Sequence, residues 1–100
     1  MADYCVTLIC PPIVEEKLLD TLLVNAGSEV FTSTPTYSHG TAQGQLTAME
    51  QVMGRSRAIQ VSVLLSHAEF DQLRVVLGRE FAGAGLRWWA VQLASEGEFA

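Results

Sequence analysis

Apolar residues in the first quarter of the chain recur first with the period of a strand and then with the period of a helix. Asp3–Cys10 alternates two largely apolar sets, which predicts a central strand covered on both faces. Pro11-Pro12 ends this strand, and proline is favoured at the first position of a helix. The helix is predicted to stop at Asn25-Ala26-Gly27. Its apolar stripe consists of Leu18, Leu19, Leu22 and Leu23.

The remaining chain repeats these two patterns. Glu29–Thr34 predicts a second strand, and Ala58–Leu65 predicts a third with one apolar and one more polar face. Ser66 and Glu69 have the spacing of a capping box, which opens a second helix with apolar residues at helical spacing. Leu86–Ala94 predicts the last strand.

The order strand, helix, strand, strand, helix, strand predicts an α+β fold of the ferredoxin-like split βαβ type (βαββαβ). In this fold an antiparallel four-stranded sheet carries two helices on one face. One hundred residues suit one domain, so we predict a single domain over residues 1–100. The acidic tail Ser95–Ala100 is predicted to be loose.

The segment 35–57 does not share the apolar character of its surroundings. It is mostly polar, is punctuated by glycine, and is predicted to be a long loop insertion. Connections in compact domains usually span about 4–6 residues, and longer ones are usually functional or disordered. The segment also contains one of the two histidines and two of the three methionines. We therefore predict that binding takes place here.

Composition favours an oligomer that does not bind nucleic acid. Hydrophobic residues make up 49% of the chain and charged residues 17%, and we interpret the apolar excess as surface buried between subunits. The net charge is −5, and the six basic residues form no run. Nucleic-acid binding needs a basic patch, so it is not expected.

The sequence also bears on location. No apolar run reaches the roughly 18–20 residues of a membrane span, so direct membrane insertion is not expected. The first residues lack the basic region and apolar core of a secretory signal, and we expect a cytoplasmic protein. Cys5 and Cys10 fit this location, because they lie roughly 16 Å apart on one strand and cannot form a disulfide. They are predicted as reduced core cysteines, with a metal or redox role as the alternative.

Five short motifs spread over nearly the whole chain carry a resemblance to a known family. They are the opening Val-Thr-Leu-Ile-Cys-Pro-Pro of residues 6–12, the helix 15–20, the pair His39-Gly40, the run 50–55 and the pair Trp88-Trp89. With these motifs the chain resembles the PII-like superfamily. More closely, it resembles a group of small PII-like proteins often encoded beside heavy-metal efflux pumps.

The resemblance implies a homotrimer whose sheets face a central axis. Classical members bind nucleotides in clefts between subunits, and their loop between strands two and three, here residues 35–57, moves to engage a partner. Their phosphate-binding loop is glycine-rich and carries lysine, whereas the corresponding connection here, residues 82–85, has no lysine. The acidic Ser95-Glu96-Gly97-Glu98 would also repel phosphate, so ATP is not an expected ligand.

Three residues of the segment form a candidate metal site. His39, beside Gly40, is a candidate for ligand or metal binding because histidine is the commonest metal ligand, and the alternative is a solvated loop histidine. Met49 and Met53 are spaced i, i+4 on a predicted short helix opened by Thr47. Their thioethers suit copper(I) or silver(I), and the alternative is that they pack this helix onto the body.

A second set of candidates lies at the end of the segment. Arg55 and Arg57 offer the planar fork that suits carboxylate or phosphate, which predicts anion or partner recognition. The alternative is that Glu50 pairs with an arginine and orders the base of the loop. Gly54 is predicted to end a helix or to adopt a left-handed turn.

The two adjacent tryptophans are predicted to face opposite sides of the last strand. One can enter the core, and Trp89 is assigned to an interface or cleft. The chain has no G-x-S-x-G motif, no P-loop, no nucleophile with a recognisable base and no clustered metal-ligand spacing. We therefore predict that the protein is not an enzyme.

These observations favour a PII-like regulatory or sensor protein. It would bind a small ligand or metal ion at subunit boundaries and signal through segment 35–57 to a partner, which the resemblance suggests is a membrane efflux-system component. The first alternative is a soft-metal buffer or chaperone for copper or silver. The second is a small ferredoxin-like dimer, either an enzyme or a ligand-binding protein.

Overall fold

The structure is a computed structural model that describes residues 2–25, 30–40 and 48–100, the side chains of residues 51–53 excepted. Its strands are β1 (Tyr4–Cys10), β2 (Phe31–Ser38), β3 (Ser56–Leu65) and β4 (Arg87–Gln92). Its α-helices are α1 (Glu15–Asn25), α2 (Ala48–Met53) and α3 (His67–Glu80), and a short 3-10 helix spans Pro12–Val14.

The described strands form one antiparallel sheet in the order β2-β3-β1-β4. The predicted split βαβ arrangement is therefore confirmed, and the short helix predicted around Met49 and Met53 is present as α2 between β2 and β3. Strands β1 and β2 run opposite to β3 and β4, so the last residues of β1 and β2 and the first residues of β3 and β4 lie at the same end of the sheet. The candidate site forms at that end.

The hydrophobic core lies between one sheet face and helices α1 and α3. Leu18 and Leu22 of α1 are fully buried there, and burying such a side chain contributes about 1.5–3 kcal/mol. The predicted stripe of α1 is narrower than expected, because Leu23 is 65% exposed. The core also contains Val6, Leu8, Cys10, Ile59, Val61, Val63, Leu65, Phe70, Leu73, Leu77 and Phe81.

The boundaries predicted for the loop at 35–57 need correction. Strand β2 continues past Pro35 to Ser38, and β3 already begins at Ser56, so the ends of the predicted loop are paired strands. Pro35 lies opposite Ile59 in this ladder. Proline is tolerated here because β2 is an edge strand of the described sheet, where one side of the backbone needs no partner. The connection between the two strands is shortened to residues 39–55.

Helix α3 begins as predicted. The Glu69 amide donates to the Ser66 hydroxyl at 3.2 Å, and the Ser66 amide donates to the Glu69 carboxylate at 2.8 Å. This reciprocal pair satisfies two amides at the start of the helix. Within residues 2–25, 30–40 and 48–100, no helix is long and apolar enough to cross a membrane.

Candidate ligand-binding cleft

An open cleft of about 1080 Å³ lies at the end of the sheet where β1 and β2 end and β3 and β4 begin. The 3-10 helix after β1 and the loop between α3 and β4 form one side, and the other is formed by residues 37–40, 49–50 and 55–58. The lining residues are Ile9, Cys10, Pro11, Pro12, Ile13, Tyr37, Ser38, His39, Gly40, Met49, Glu50, Arg55, Ser56, Arg57, Ala58, Gly83, Ala84, Gly85, Leu86 and Arg87.

The cleft brings together most of the residues that the sequence singled out. Six of them line it, although they are separated by up to 18 positions in the chain: His39, Gly40, Met49, Glu50, Arg55 and Arg57. Gly54 follows the end of α2 and does not line the cleft. The side chain of Met53 lies outside the part of the chain that the structure describes.

Helix α2 is fastened to the start of β3 through Glu50. The Glu50 carboxylate accepts a hydrogen bond of 2.8 Å from the Arg57 backbone amide. The Glu50 carbonyl accepts from the amide of Gly54 at 2.8 Å and from that of Arg55 at 3.3 Å. Gly54 has φ +70°, the left-handed conformation that commonly ends helices, so its predicted role as a helix stop is confirmed.

Arg55 is held over an aromatic ring. Its guanidinium carbon lies 4.0 Å from the centre of the Tyr37 ring, a cation–π contact that links the end of β2 to the residue before β3. The Arg55 Nε is buried, and no residue in the described ranges accepts a hydrogen bond from it. A buried donor without an acceptor is costly, and a bound ligand is one of the ways proteins satisfy such a group.

Arg87 is the cleft residue that the sequence prediction missed. It is exposed at the start of β4 and lines the cleft beside the loop 82–86. One signal in the sequence could have identified Arg87. It lies two residues after Gly85, next to the connection in which the resemblance predicts a phosphate-binding lysine. The close packing of Gly85 on Pro11 was not foreseeable from spacing: a Cβ on Gly85 would lie 3.5 Å from the Pro11 ring.

In the part of the chain that the structure describes, the side chains of the cleft that could bind a metal ion do not form a cluster. Within the described residues, no three His, Cys, Asp or Glu side chains are grouped to hold a metal. His39 and Met49 both line the cleft and are exposed, Met49 at 67%. Cys10 also borders it, but burial raises the pKa of the Cys10 thiol and the Glu15 carboxylate adds to the rise. The thiolate needed for metal binding is therefore disfavoured at Cys10.

Trp89 lies away from the cleft. It pairs with Thr7 on the sheet face opposite the helices and is 43% exposed, with Val91 beside it at 56%. Trp88 lies on the helix side, where it meets the Phe70 ring edge-on at 5.4 Å between centroids. The prediction of opposite faces is confirmed, but Trp88 is still 45% exposed and does not enter the core fully.

Comparison with known proteins places the chain in a family. The profile of the family described as "Protein of unknown function (DUF3240)" matches residues 1–100. The chain belongs to this family. A comparison with curated proteins finds no match.

Solved structures share the fold of this DUF3240 chain. A DUF3240 family protein from Shewanella baltica OS155 is similar over 100% of this chain and 99% of its own, with 13% identity and a TM-score of 0.79. A putative PII-like signaling protein from Thermus thermophilus is similar over 93% and 87%, with 15% identity and a TM-score of 0.68. The periplasmic divalent cation tolerance protein CutA from Archaeoglobus fulgidus is similar over 98% and 89%, with 11% identity and a TM-score of 0.67.

These similarities confirm the PII-like, ferredoxin-like fold that the sequence motifs predicted. The fold is shared by a protein described as a putative PII-like signaling protein and by one described as a divalent cation tolerance protein. At these identities the likeness concerns the fold, so the chemistry of the cleft has to be argued from its own residues.

Proposed function

We propose that this protein is a non-enzymatic PII-like sensor that binds a small anionic ligand in the cleft. The observation that carries the proposal is Arg55, whose buried Nε has no acceptor within the described residues and whose guanidinium is fixed over Tyr37. Arg57 and Arg87 line the same cleft, so three of the chain's six basic residues border one opening in an acidic protein. Arginine forks suit carboxylate and phosphate groups.

The ligand would act on the β2–β3 connection. Arg55 and Arg57 flank the start of β3, and the Glu50 carboxylate of α2 accepts a hydrogen bond from the Arg57 amide. An anion that binds these arginines and shifts them would therefore also shift α2. A ligand that binds one arrangement of residues 39–55 more tightly than another shifts the population toward it. That shift would alter the affinity of the connection for a partner protein.

The partner proposed is a membrane efflux-system component that the sensor meets from the cytoplasm. Two observations support it: the resemblance to PII-like proteins encoded beside heavy-metal efflux pumps, and the fold shared with a protein described as a divalent cation tolerance protein. The same resemblance supports a homotrimer in which Trp89 and Val91, on the open sheet face, are covered by neighbouring subunits.

A titration of anions against matched arginine variants tests the ligand class. Inorganic phosphate, pyrophosphate, citrate and AMP would be titrated calorimetrically against wild type, Arg55→Gln and Arg79→Gln. Arg79 is the control because it pairs with Glu80 on α3 at 3.4 Å, outside the cleft. Loss of one hydrogen bond to a charged group, about 1.5–3 kcal/mol, should weaken binding about tenfold or more in Arg55→Gln alone. Equal affinity in all three proteins, or no binding of any of the four anions, would contradict the proposal.

A soft-metal buffer is the second candidate, favoured because His39 and Met49 line the same cleft. Copper(I) and silver(I) would be titrated against wild type, His39→Ala and His67→Ala. His67 is the matched control because its ring contacts Tyr4 and Asp71 at 3.1 and 3.3 Å, away from the cleft. The buffer hypothesis expects a loss of affinity in His39→Ala alone. Unchanged stoichiometry and affinity there would remove His39 from any metal site.

A further inference from the structure

A second, smaller opening lies on the helix side of the sheet, between α3 and the edge strand β4. This groove has a volume of about 210 Å³. Its floor is formed by Val6 and Leu8, which are fully buried. The other lining residues are Phe70, Arg74, Leu77, Gly78, Phe81, Ala82, Leu86 and Trp88. The groove is thus apolar and aromatic inside, with one cation at its rim.

The dimensions of the groove suit an aromatic ring. An engineered apolar cavity of about 150 Å³ holds benzene, so 210 Å³ is sufficient for a phenylalanine side chain. The Phe70 and Trp88 rings already meet edge-on at 5.4 Å in its wall, an arrangement that a third ring can extend. Gly78 leaves the α3 wall open, because a Cβ there would meet nothing within 4 Å.

The chain carries a segment whose chemistry complements this groove. The C-terminal segment Ser95–Ala100 is exposed throughout, and the Phe99 side chain is fully exposed. Glu96 and Glu98 place carboxylates next to that ring. Arg74 at the groove rim is half-exposed and already pairs with Asp71, but a guanidinium has five donors and can bind a second carboxylate.

The exposure of Phe99 in the single chain favours docking on another copy. Strand β4 runs along the groove, since Trp88 lines it and Ala90 pairs with Val6 of its floor. The amide of Leu93 then bonds to the Asp3 carbonyl at 2.9 Å, and the chain leaves the sheet there. From that point Phe99 does not enter the groove of its own chain and remains fully exposed.

We infer that the C-terminal segment Ser95–Ala100 of one copy docks on a second copy, with Phe99 in the groove between α3 and β4 and Glu98 at Arg74. Because β4 is an outer strand of the described sheet, the backbone groups on its outer side can hydrogen-bond to an extended segment that lies alongside the groove. This contact is separate from the open sheet face and from the ligand-binding cleft, because no residue lines both openings except Leu86.

Photocrosslinking tests the contact directly. The full-length variant Phe99→p-benzoylphenylalanine would be irradiated, separated on a denaturing gel and mapped by mass spectrometry. The inference expects a crosslinked product of about twice the 10.9 kDa chain, joined to peptides that contain Phe70, Leu77 or Trp88. Crosslinks confined to a single chain, crosslinks to other surfaces, or no crosslink would each overturn it.

Two further substitutions separate docking from folding and from other association. Gly78→Leu, added to the crosslinking variant, fills the groove and should abolish the product, whereas Val75→Leu on the exposed face of the same helix should not. The circular dichroism spectrum and the thermal midpoint of both variants check that α3 is intact. In an intact Gly78→Leu protein, an undiminished product would show that Phe99 lies elsewhere and would refute the assignment.

Discussion

Arg55 is the residue on which the interpretation of the cleft depends. Its guanidinium is fixed over Tyr37, and its Nε is buried without an acceptor in the described part of the chain. Sequence alone indicated a fork for anions at this position, since arginine has that chemistry wherever it is exposed. The stacking on Tyr37 was not predictable, because the sequence placed Tyr37 in a loop and the structure pairs it with Arg57 across two strands.

Cys10 gives a prediction of pH dependence at the scale of one residue. Burial, with a smaller contribution from Glu15, raises the pKa of its thiol in the folded protein. In the unfolded chain the thiol ionises near its ordinary pKa of about 8.5. Above that pH, ionisation stabilises the unfolded chain relative to the folded protein and so lowers the free energy of unfolding. We expect this contribution to stability to be complete below pH 8 or so and to be lost as the pH rises toward the folded pKa.

Urea unfolding of wild type and Cys10→Ala between pH 7 and pH 10 measures this effect. The stability of wild type should fall more steeply with pH than that of Cys10→Ala, while Cys5→Ala serves as the control because its half-buried thiol contacts Ser62 on the open face. If wild type and Cys10→Ala lose stability in parallel, the buried thiol is not the cause.

At the scale of elements, the helices and most strand bounds could be predicted, including the short helix α2, whereas the bounds of the β2–β3 connection could not. Alternation fixed β1 and β3, and the capping box fixed the start of α3, because these signals are local. The polar character of residues 35–38 assigned them to a loop, whereas they continue β2, an edge strand in the described sheet where Pro35 is tolerated, and edge position is a property of the whole sheet. That Arg87 lines the same cleft as Tyr37, Arg55 and Arg57 likewise depends on topology rather than on local spacing.

The end of α2 yields a prediction with an internal control. Gly54→Ala should lower the free energy of unfolding by about 1–2 kcal/mol, because φ is +70° there and an L-residue with a Cβ is strained in that region. Gly78→Ala should instead raise it by about 0.5–1 kcal/mol, because Gly78 lies in helix α3 with open space around it. Urea denaturation measures both changes. Equal effects of the two substitutions would mean that the left-handed turn at Gly54 is not required.

At the scale of the whole molecule, the two sheet faces differ in what covers them. The helices cover one face, while Trp89 and Val91 leave an apolar area on the other. The apolar excess of the composition predicted surface buried between subunits, and we propose that the open face around Trp89 and Val91 is that surface. The PII-like resemblance predicted trimers with facing sheets, and the open face is the surface that such a trimer would bury.

A charge on the open face should dissociate the assembly. Light scattering of wild type should give a mass near three times 10.9 kDa, and Trp89→Glu should give a mass near that of one chain, because burying an unpaired carboxylate is costly. Val24→Glu is the control, since Val24 is 80% exposed on helix α1. A dimer would favour the ferredoxin-like dimeric enzyme or binding protein. A wild-type monomer, or no effect of Trp89→Glu, would exclude the open face as an interface.

The measurement that tests the central proposal most directly is native mass spectrometry of the protein isolated from its own host, compared with Arg55→Gln and Arg79→Gln prepared in the same way. We expect a trimer that carries a small anionic molecule in wild type and in Arg79→Gln, and the same trimer without that molecule in Arg55→Gln. A wild-type protein that carries no bound molecule, or a bound molecule retained equally by Arg55→Gln, would contradict the assignment of the cleft as an anion-sensing site.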